Sequence, residues 1–329
     1  MAALRTFRAA CMRGLATTTA AAAANGGGAQ VPAVMDAVEV AAAARAGTVR
    51  VIDMKVEPLF AVAHIPGALP FPVPPTLKGA GTGRVLPPVG FGQVLAALQV
   101  RPGQRLVFVD DGSMLNAARV WWAFKYYGLD DVSVLDGGWA AYVAAALPAE
   151  AGDAPAAASQ STSSRSNASS VGGGQTPSPV ATPRPAWLTT TDDLAAAVRD
   201  GRTVSRAGVA PPLQVLDART VPEFAGVELR GNMRGGHVPG AINVPHASLY
   251  RGGADTRLKT PAALRDLFLA AALDPTRPTA AYCQAGIRAA LAALALHHAG
   301  FPTVSVYDAS MAEWLNRPDT PVEMSTTSS

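Results

Sequence analysis

At 329 residues, 49% of them hydrophobic, the chain is long enough for two domains of ordinary size, each with its own core. Its 27 Lys and Arg against 24 Asp and Glu give a net charge of +3, and three cations, Arg5, Arg8 and Arg13, lie in a leader without acids. The remainder is neutral, which excludes a general nucleic-acid binder. It has no run of about 18 to 20 apolar residues, which predicts no membrane-spanning segment.

The leader, residues 1–30, is rich in Ala, Thr and Arg and contains no Asp or Glu. This composition is typical of an organellar presequence, and a merely disordered tail is the alternative interpretation. We predict a mitochondrial destination, with the plastid as the alternative. Cleavage of the leader would remove Cys11 and leave Cys283 as the one thiol, so we predict no intramolecular disulfide.

In the first half, short β-branched runs alternate with longer stretches rich in Ala and Leu. We predict strands at residues 49–53, 105–109 and 132–135, and helices at 91–98 and 117–127. Such alternation is typical of an α/β domain, in which a parallel sheet is flanked by helices. We place this domain at residues 31–148.

Residues 149–185 contain a serine-rich run, three consecutive glycines and spaced prolines, which predicts a flexible linker. Beyond it, the same alternation of elements returns and predicts a second α/β domain at residues 186–324. Its predicted strands are 214–216, 279–282 and 304–307, and its predicted helices are 192–200, 261–271 and 288–299.

The two halves repeat one pattern. A His-Ile-Pro-Gly-Ala turn begins at His64, and a His-Val-Pro-Gly-Ala turn begins at His237. The residue 46 positions after each histidine directly follows a predicted strand and is Asp110 in the first copy and Cys283 in the second. A duplicated unit that carries a thiol in one half only predicts one catalytic and one structural domain.

Cys283 stands between a predicted strand and a predicted helix, at the edge of the sheet where α/β proteins place their chemistry. Backbone N–H groups of the following loop can converge on the sulfur, and the helix dipole adds positive potential there. Both effects favour the thiolate, which makes the cysteine nucleophilic and would also hold an anionic persulfide. The predicted loop residues are Gln284, Ala285, Gly286, Ile287 and Arg288.

These features resemble the rhodanese domain, and the chain as a whole resembles the two-domain thiosulfate and 3-mercaptopyruvate sulfurtransferases. The resemblance covers residues 32–147 and 187–323 and rests on the two turns, the Cys283 loop, and the motifs that begin at Leu135 and Tyr307. It implies two tandem rhodanese-like domains, the first inactive and the second catalytic. It also implies double displacement through a Cys283 persulfide, without a metal or an organic cofactor.

The segment between strand and turn is longer in the second copy, with 20 residues from Asp217 to His237 against 11 from Asp53 to His64. The enlarged segment contains Arg230 and Arg234, and guanidinium groups bind oxyanions bidentately. The resemblance places a substrate-binding arginine at Arg230, and Arg234 is the second candidate. Solvated loop charges are the alternative interpretation of both residues.

Two positions depart from the family pattern. Glu223 occupies a position where many members have a substrate arginine, and Ala285 replaces the lysine or serine of the two donor classes. Sulfite leaves thiosulfate without a proton, whereas 3-mercaptopyruvate expels an enolate that benefits from a proton donor. Because Ala285 has no hydroxyl, we predict thiosulfate as the donor, with 3-mercaptopyruvate as the alternative, and a thiol, cyanide or thioredoxin-like acceptor.

Other functions fit less of the pattern. A persulfide carrier that serves one protein client is an alternative to an enzyme. A phosphatase is disfavoured because only four residues separate Cys283 from Arg288, one fewer than the related phosphatases have. In the first domain, Asp110 and Asp111 could imitate a buried ion, but the simpler interpretation is that this pocket forms a wall of the active cleft.

Overall fold

The structure is a computed structural model that describes residues 31–80, 83–152, 179–205 and 211–324. The predicted presequence with Cys11 and the central part of the predicted linker lie outside the described residues. Pro32–Ser329 form one compact unit. No helix in the described ranges combines the length and the apolar character needed to cross a membrane.

The first half contains a five-stranded sheet with helices between its strands. Its strands are β1 (Val34–Met35), β2 (Arg50–Asp53), β3 (Leu69–Pro70), β4 (Leu106–Val109) and β5 (Val132–Leu135). Its helices are α1 (Ala37–Arg45), α2 (Glu57–Val62), α3 (Pro88–Ala97), α4 (Leu115–Tyr126) and α5 (Gly138–Ala144).

The second half contains a matching five-stranded sheet and an added two-stranded one. Its strands are β6 (Leu188–Thr189), β7 (Gln214–Asp217), β8 (Ile242–Asn243), β9 (Tyr250–Gly252), β10 (Asp255–Leu258), β11 (Thr279–Tyr282) and β12 (Val304–Tyr307). Its helices are α6 (Thr191–Arg199), α7 (Val221–Phe224), α8 (Pro261–Ala270), α9 (Ile287–His298) and α10 (Ser310–Trp314).

Both large sheets have one topology. The strand orders are β1-β5-β4-β2-β3 and β6-β12-β11-β7-β8, and every pair in them is parallel. This confirms the predicted fold of two tandem α/β domains. The two-residue edge strands and the β9–β10 hairpin were not predicted, because such short segments carry no measurable hydrophobic period.

Helices α4 and α9 pack against each other and join the two halves. The residues from Ala289 to Leu296 of α9 are all fully buried, as expected for a helix that is apolar on every side. Helix α4 contributes Trp121 and Trp122, both 0% exposed, to the same core. The interface therefore resembles the interior of a domain.

The ends of the predicted linker are packed. The backbone of Glu150 pairs with that of His64 on the first domain, and Glu323 pairs with His237 in the same way on the second. After the undescribed part, the Arg184 N–H donates to the Tyr126 carbonyl at 2.7 Å. The ordered first domain thus continues beyond residue 148, and its last residues close the His turn as the end of the second domain does.

Candidate functional site

Cys283 directly follows β11 and precedes α9, so it lies at the carboxyl edge of the second sheet. The residue is 1% exposed. The Gly286 N–H donates to Cys283 Sγ at 3.1 Å, and the Cys283 N–H donates to Ser310 Oγ at 3.1 Å. The sulfur therefore lies against the backbone that begins α9, at the positive end of the helix dipole.

Gly286 fixes the shape of the loop. Its φ of +81° lies in the left-handed region, and a Cβ there would lie 2.6 Å from both the carbonyl oxygen and Oδ1 of Asp308. Only glycine fits this conformation and this space. The first-turn amides of Ile287 and Arg288 make no hydrogen bond to any described residue, so they are available to an anion beside the sulfur.

Arg288 and Glu223 form a buried bidentate ion pair. Nη1 of Arg288 lies 2.7 Å from Oε2 of Glu223, and Nη2 lies 2.8 Å from Oε1. Burial alone would raise the pKa of Glu223, but the hydrogen bonds from Arg288 and Thr220 outweigh it and lower the pKa to about 2. Burial alone would lower the pKa of Arg288, and Glu223 and Cys283 together raise it. Glu223, which differs from the family pattern, thus binds Arg288 of the loop.

Gln284 is fixed by the enlarged segment. Its amide exchanges two hydrogen bonds of 3.0 Å with the amide of Asn232, and Asn316 donates to Asn232 Oδ1 at 3.1 Å. Asn232 is 8% exposed. Sequence reasoning missed Asn232, because only the folded chain brings it to the loop.

The two predicted arginines of the enlarged segment lie in different surroundings. Arg230 has a half-exposed side chain and a left-handed backbone with φ of +52°. Its Nη1 donates to Glu228 at 3.3 Å, and its Nε lies 3.7 Å from Oε1 of Glu223. Arg230 is therefore adjacent to the ion pair that reaches Cys283, and its guanidinium has donors to spare.

Arg234 is held by the C-terminal segment. Its guanidinium donates to the carbonyls of Trp314, Leu315, Arg317 and Thr320, and to Thr320 Oγ1 at 2.7 Å. These bonds anchor the enlarged segment to the end of the domain. The geometry favours a structural role for Arg234 over the predicted contact with substrate.

The Ser310 hydroxyl lies beside the loop and both accepts and donates a hydrogen bond. Ser310 Oγ accepts from the Cys283 N–H and donates to the Tyr307 carbonyl at 2.7 Å. Ala285 supplies no donor of its own. Sequence reasoning did not single out Ser310, whose φ of +54° places its hydroxyl under the cysteine.

Residues of the first domain also reach the loop, and no motif in the sequence pointed to them. Arg119 of α4 is 0% exposed, and its Nη1 lies 2.6 Å from Asp308 Oδ1. The Val85 N–H donates to the other oxygen of Asp308 at 2.6 Å. Asp308 follows β12 and packs on Gly286, so the first domain forms part of the wall around Cys283.

In the first domain, the Asp110 side chain fills the space inside the equivalent loop. Asp110 is 1% exposed, and its carboxylate accepts four backbone N–H bonds of 3.0 to 3.3 Å. The prediction that the pocket at Asp110 forms a wall of the active cleft is therefore corrected. The Asp110 side chain fills this pocket itself, as in the alternative interpretation of a buried ion. The wall is instead formed by Arg119 and by the residues near Val85.

The remaining candidates have structural surroundings. His237 stacks on Phe224 with ring centroids 3.7 Å apart, and Arg219 makes a fully buried bidentate pair with Asp217. Arg219 also donates to the Gly236 carbonyl at 2.9 Å, which fixes the end of the enlarged segment. In the described ranges, no group of three or more His, Cys, Asp or Glu could hold a metal ion.

Comparison with protein families matches the rhodanese-like domain twice, at residues 36–145 and 191–317. The chain belongs to the rhodanese family. The two matches fall on the two sheets, so the duplication seen in the sequence is a duplication of the rhodanese domain.

This rhodanese chain is similar to known sulfurtransferases. It is 30% identical over 275 residues to the 3-mercaptopyruvate sulfurtransferase of Escherichia coli (strain K12), which covers 82% of this chain and 87% of the relative. It is 29% identical over 275 residues to the Arabidopsis thaliana protein named Thiosulfate/3-mercaptopyruvate sulfurtransferase 1, mitochondrial, with 80% of this chain and 68% of the relative covered. These relatives support sulfurtransferase activity; the first is named for 3-mercaptopyruvate and the second for both donors.

Solved structures share the fold. The 3-mercaptopyruvate sulfurtransferase SseA from Escherichia coli aligns with a TM-score of 0.66 at 24% identity, over 85% of this rhodanese chain and 99% of that one. The anaerobic ergothioneine biosynthesis enzyme from Chlorobium limicola aligns with a TM-score of 0.70 at 20% identity, over 89% and 70% of the two chains.

Proposed function

We propose that the chain transfers sulfane sulfur from thiosulfate to a thiol or cyanide acceptor through a persulfide on Cys283. The observation that carries this proposal is the 3.1 Å hydrogen bond from the Gly286 N–H to Cys283 Sγ, at the start of a helix that follows a parallel strand. Such a setting stabilises both a thiolate and the terminal sulfur of a persulfide, because both are anions.

The proposed reaction is a double displacement. The Cys283 thiolate attacks the outer sulfur of thiosulfate, a new S–S bond forms, and the old S–S bond breaks with its electron pair leaving on sulfite. The enzyme then carries an anionic persulfide. Cyanide or a thiolate acceptor attacks the terminal sulfur, which gives thiocyanate or an acceptor persulfide and regenerates the Cys283 thiolate.

We assign the persulfide loop to Gln284, Ala285, Gly286, Ile287 and Arg288. Helix α9 begins four residues after Cys283, and a loop of this length suits one sulfur atom better than a tetrahedral phosphate. This length argues against the phosphatase alternative.

Thiosulfate is the proposed donor because no proton donor faces the leaving group from the loop. Ala285 has none, and the Ser310 hydroxyl already donates to the Tyr307 carbonyl. Sulfite departs without a proton, whereas an enolate does not leave readily without one. 3-Mercaptopyruvate is the second candidate, since the Escherichia coli relative is named for it.

The decisive experiment uses the two cysteines as a matched pair. The protein is incubated with thiosulfate or 3-mercaptopyruvate, the mass of the Cys283 peptide is measured, and cyanide is then added to measure thiocyanate. We expect one added sulfur atom on Cys283 and thiocyanate formation, both abolished in Cys283→Ser and retained in Cys11→Ser. Loading without thiocyanate formation would favour the persulfide-carrier alternative, and unchanged turnover in Cys283→Ser would refute the proposal.

Arg230 is the proposed ligand of the donor's oxyanion. Loss of a bidentate contact of about 2 to 3 kcal/mol predicts that Arg230→Ala lowers kcat/KM for thiosulfate about a hundredfold. The control is Arg199→Ala, an exposed arginine at the end of α6, which we expect to leave kcat/KM unchanged. Equal kinetics in the two variants would remove Arg230 from the site.

The physiological acceptor and the destination are further parts of the proposal. We propose a small thiol or a thioredoxin-like protein as acceptor, because the terminal sulfur of a persulfide is transferred by attack of a thiolate. The proposed mitochondrial destination rests on the composition of residues 1–30, with the plastid as the alternative. Fusion of residues 1–30 to a fluorescent protein tests it, and a diffuse signal would refute it.

A further inference from the structure

We infer that Lys78, a residue of the first domain, is an anion-binding residue of the Cys283 site, where its ammonium group binds the negatively charged end of the sulfur donor. This inference rests on the proposed function and names a contact that the second domain does not supply.

A short chain of contacts places Lys78 beside the loop. Lys78 pairs with Val85 in an antiparallel bridge, and the Val85 N–H donates to Asp308 Oδ2 at 2.6 Å. Asp308 lies against Gly286, close enough that a Cβ on Gly286 would be 2.6 Å from its Oδ1. The Gly286 N–H in turn bonds the sulfur of Cys283. The Lys78–Val85 bridge therefore connects to the loop around the Cys283 sulfur through Asp308 and Gly286.

The charges around Lys78 leave its ammonium group available. The titratable groups that lie near enough to act on the Lys78 ammonium group are Asp308, Arg119 and Cys283. Asp308 is already paired with Arg119 at 2.6 Å, and among the described residues the Lys78 ammonium makes no salt bridge but donates to the Gly83 carbonyl. Burial lowers the pKa of Lys78, while Asp308 and Cys283 act to raise it.

The first domain's own loop shows what this arrangement lacks. There, the Leu258 N–H donates to Asp136 Oδ1 at 2.8 Å, as Val85 does to Asp308, and Arg251 of the same hairpin lies 3.4 Å from Asp136. On the Cys283 side, the cation paired with Asp308 is Arg119 of α4, whereas Asp136 is paired with Arg251 of the β9–β10 hairpin. Lys78, the cation of the Lys78–Val85 bridge, thus lies beside a loop that has no carboxylate of its own.

Lys78 and Arg230 would hold a donor from two sides. Arg230 lies two residues from Asn232, which bonds Gln284, whereas Lys78 approaches through Asp308, which packs on Gly286. Arg288, the other cation of the site, is bound by Glu223. A dianionic donor such as thiosulfate needs more than one cation, because an anion without countercharges is costly in a half-buried cleft.

The test compares two alkylating reagents that differ in charge. Iodoacetate and iodoacetamide react with the same thiolate, so the ratio of their rates at Cys283 reports on anion binding and cancels thiolate content. Removal of one nearby positive charge predicts that Lys78→Met lowers the iodoacetate-to-iodoacetamide ratio about tenfold. Lys78→Arg should retain the ratio, and Arg45→Met, which removes an exposed cation of α1, should leave it unchanged.

The readouts separate this inference from the proposed function. Alkylation of the Cys283 peptide, followed by mass spectrometry, needs no sulfur transfer, so it decides the role of Lys78 even if no thiocyanate forms. In the active enzyme, we expect Lys78→Met to raise KM for thiosulfate about tenfold and to change kcat less. An unchanged rate ratio in Lys78→Met, or a Cys283 that neither reagent labels, would overturn the inference.

Discussion

At the scale of single residues, equivalent positions of the two domains hold different side chains, Asp110 in the first and Cys283 in the second. Cys283 receives one backbone N–H bond on its sulfur, and the equivalent Asp110 receives four on its carboxylate. Helix α4 begins five residues after Asp110, whereas α9 begins four residues after Cys283. The longer loop accommodates the larger group, so the first domain holds a buried carboxyl group where the second holds the Cys283 sulfur.

This predicts a structural role for Asp110 that its neighbour Asp111 does not share. Asp110→Ala would leave buried amides without a partner, and we expect the free energy of unfolding to fall by about 2 to 4 kcal/mol. Asp111 is exposed, and among the described residues its carboxylate accepts hydrogen bonds from Ser113, so Asp111→Ala is the matched control. Urea unfolding measures both, and equal stabilities would contradict the role assigned to Asp110.

At the scale of secondary-structure elements, the site depends on how α9 begins. Gly286 starts the helix in a left-handed conformation, presents its N–H to the sulfur, and leaves room for Asp308. Helix α4 begins in the same way at Met114, with φ of +57°. Both helices therefore start by a sharp turn after a parallel strand, which aims their first amides at the residue that ends the strand.

Gly286→Ala is expected to damage this start. The added Cβ would meet backbone and carboxylate oxygens of Asp308, and we expect a loss of about 2 to 4 kcal/mol in stability together with slower loading of Cys283. Gly47→Ala is the control, because Gly47 has φ of +67° and no atom within 4 Å of the added Cβ. It should cost only about 1 kcal/mol and leave loading intact. Thermal unfolding and peptide mass spectrometry measure both effects, and similar losses in the two variants would refute the clash.

At the scale of the whole molecule, each domain covers the other's loop. The β9–β10 hairpin of the second domain contacts Asp136, and the chain around Val85 of the first domain contacts Asp308. Helices α4 and α9 fill the space between the sheets. His297 of α9 lies between Trp121 and Trp187, at ring-centroid distances of 5.5 and 5.8 Å. The first domain therefore covers the Cys283 loop of the second domain, although it has no equivalent cysteine of its own.

His297 makes this interface sensitive to acid. Burial, with a smaller contribution from Lys125, lowers the pKa of His297 to about 4, from 6.5 as the ordinary value. The unfolded chain therefore binds a proton at a higher pH than the folded chain does, and stability falls as pH drops from about 6.5 to about 4, by about 2 to 3 kcal/mol.

Thermal unfolding between pH 7 and pH 4.5 tests this prediction. We expect His297→Phe to lose part of the acid destabilisation in that window, and His297→Gln to do the same at lower overall stability. A variant that shows the same fall in Tm as the unchanged protein would exclude His297 as the cause.

The sequence alone determined the duplication, the central strands, the long helices and the position of Cys283 at the end of a strand. These features follow from periodicity and turn residues within short windows, and the family resemblance rests on motifs that are equally local. Gly300 after α9, for example, is the residue type that commonly ends a helix and has φ of +83°.

The tertiary structure decided which side chains meet at the loop. The partners of Asp308 lie 189 and 223 residues away from it along the chain, at Arg119 and Val85, and Asn232 lies 52 residues from Gln284. It likewise separated Arg230, with its exposed guanidinium, from Arg234, which the C-terminal segment holds. Contacts across such separations depend on sheet order and on the packing of α4 against α9, and neither leaves a periodic trace in the sequence.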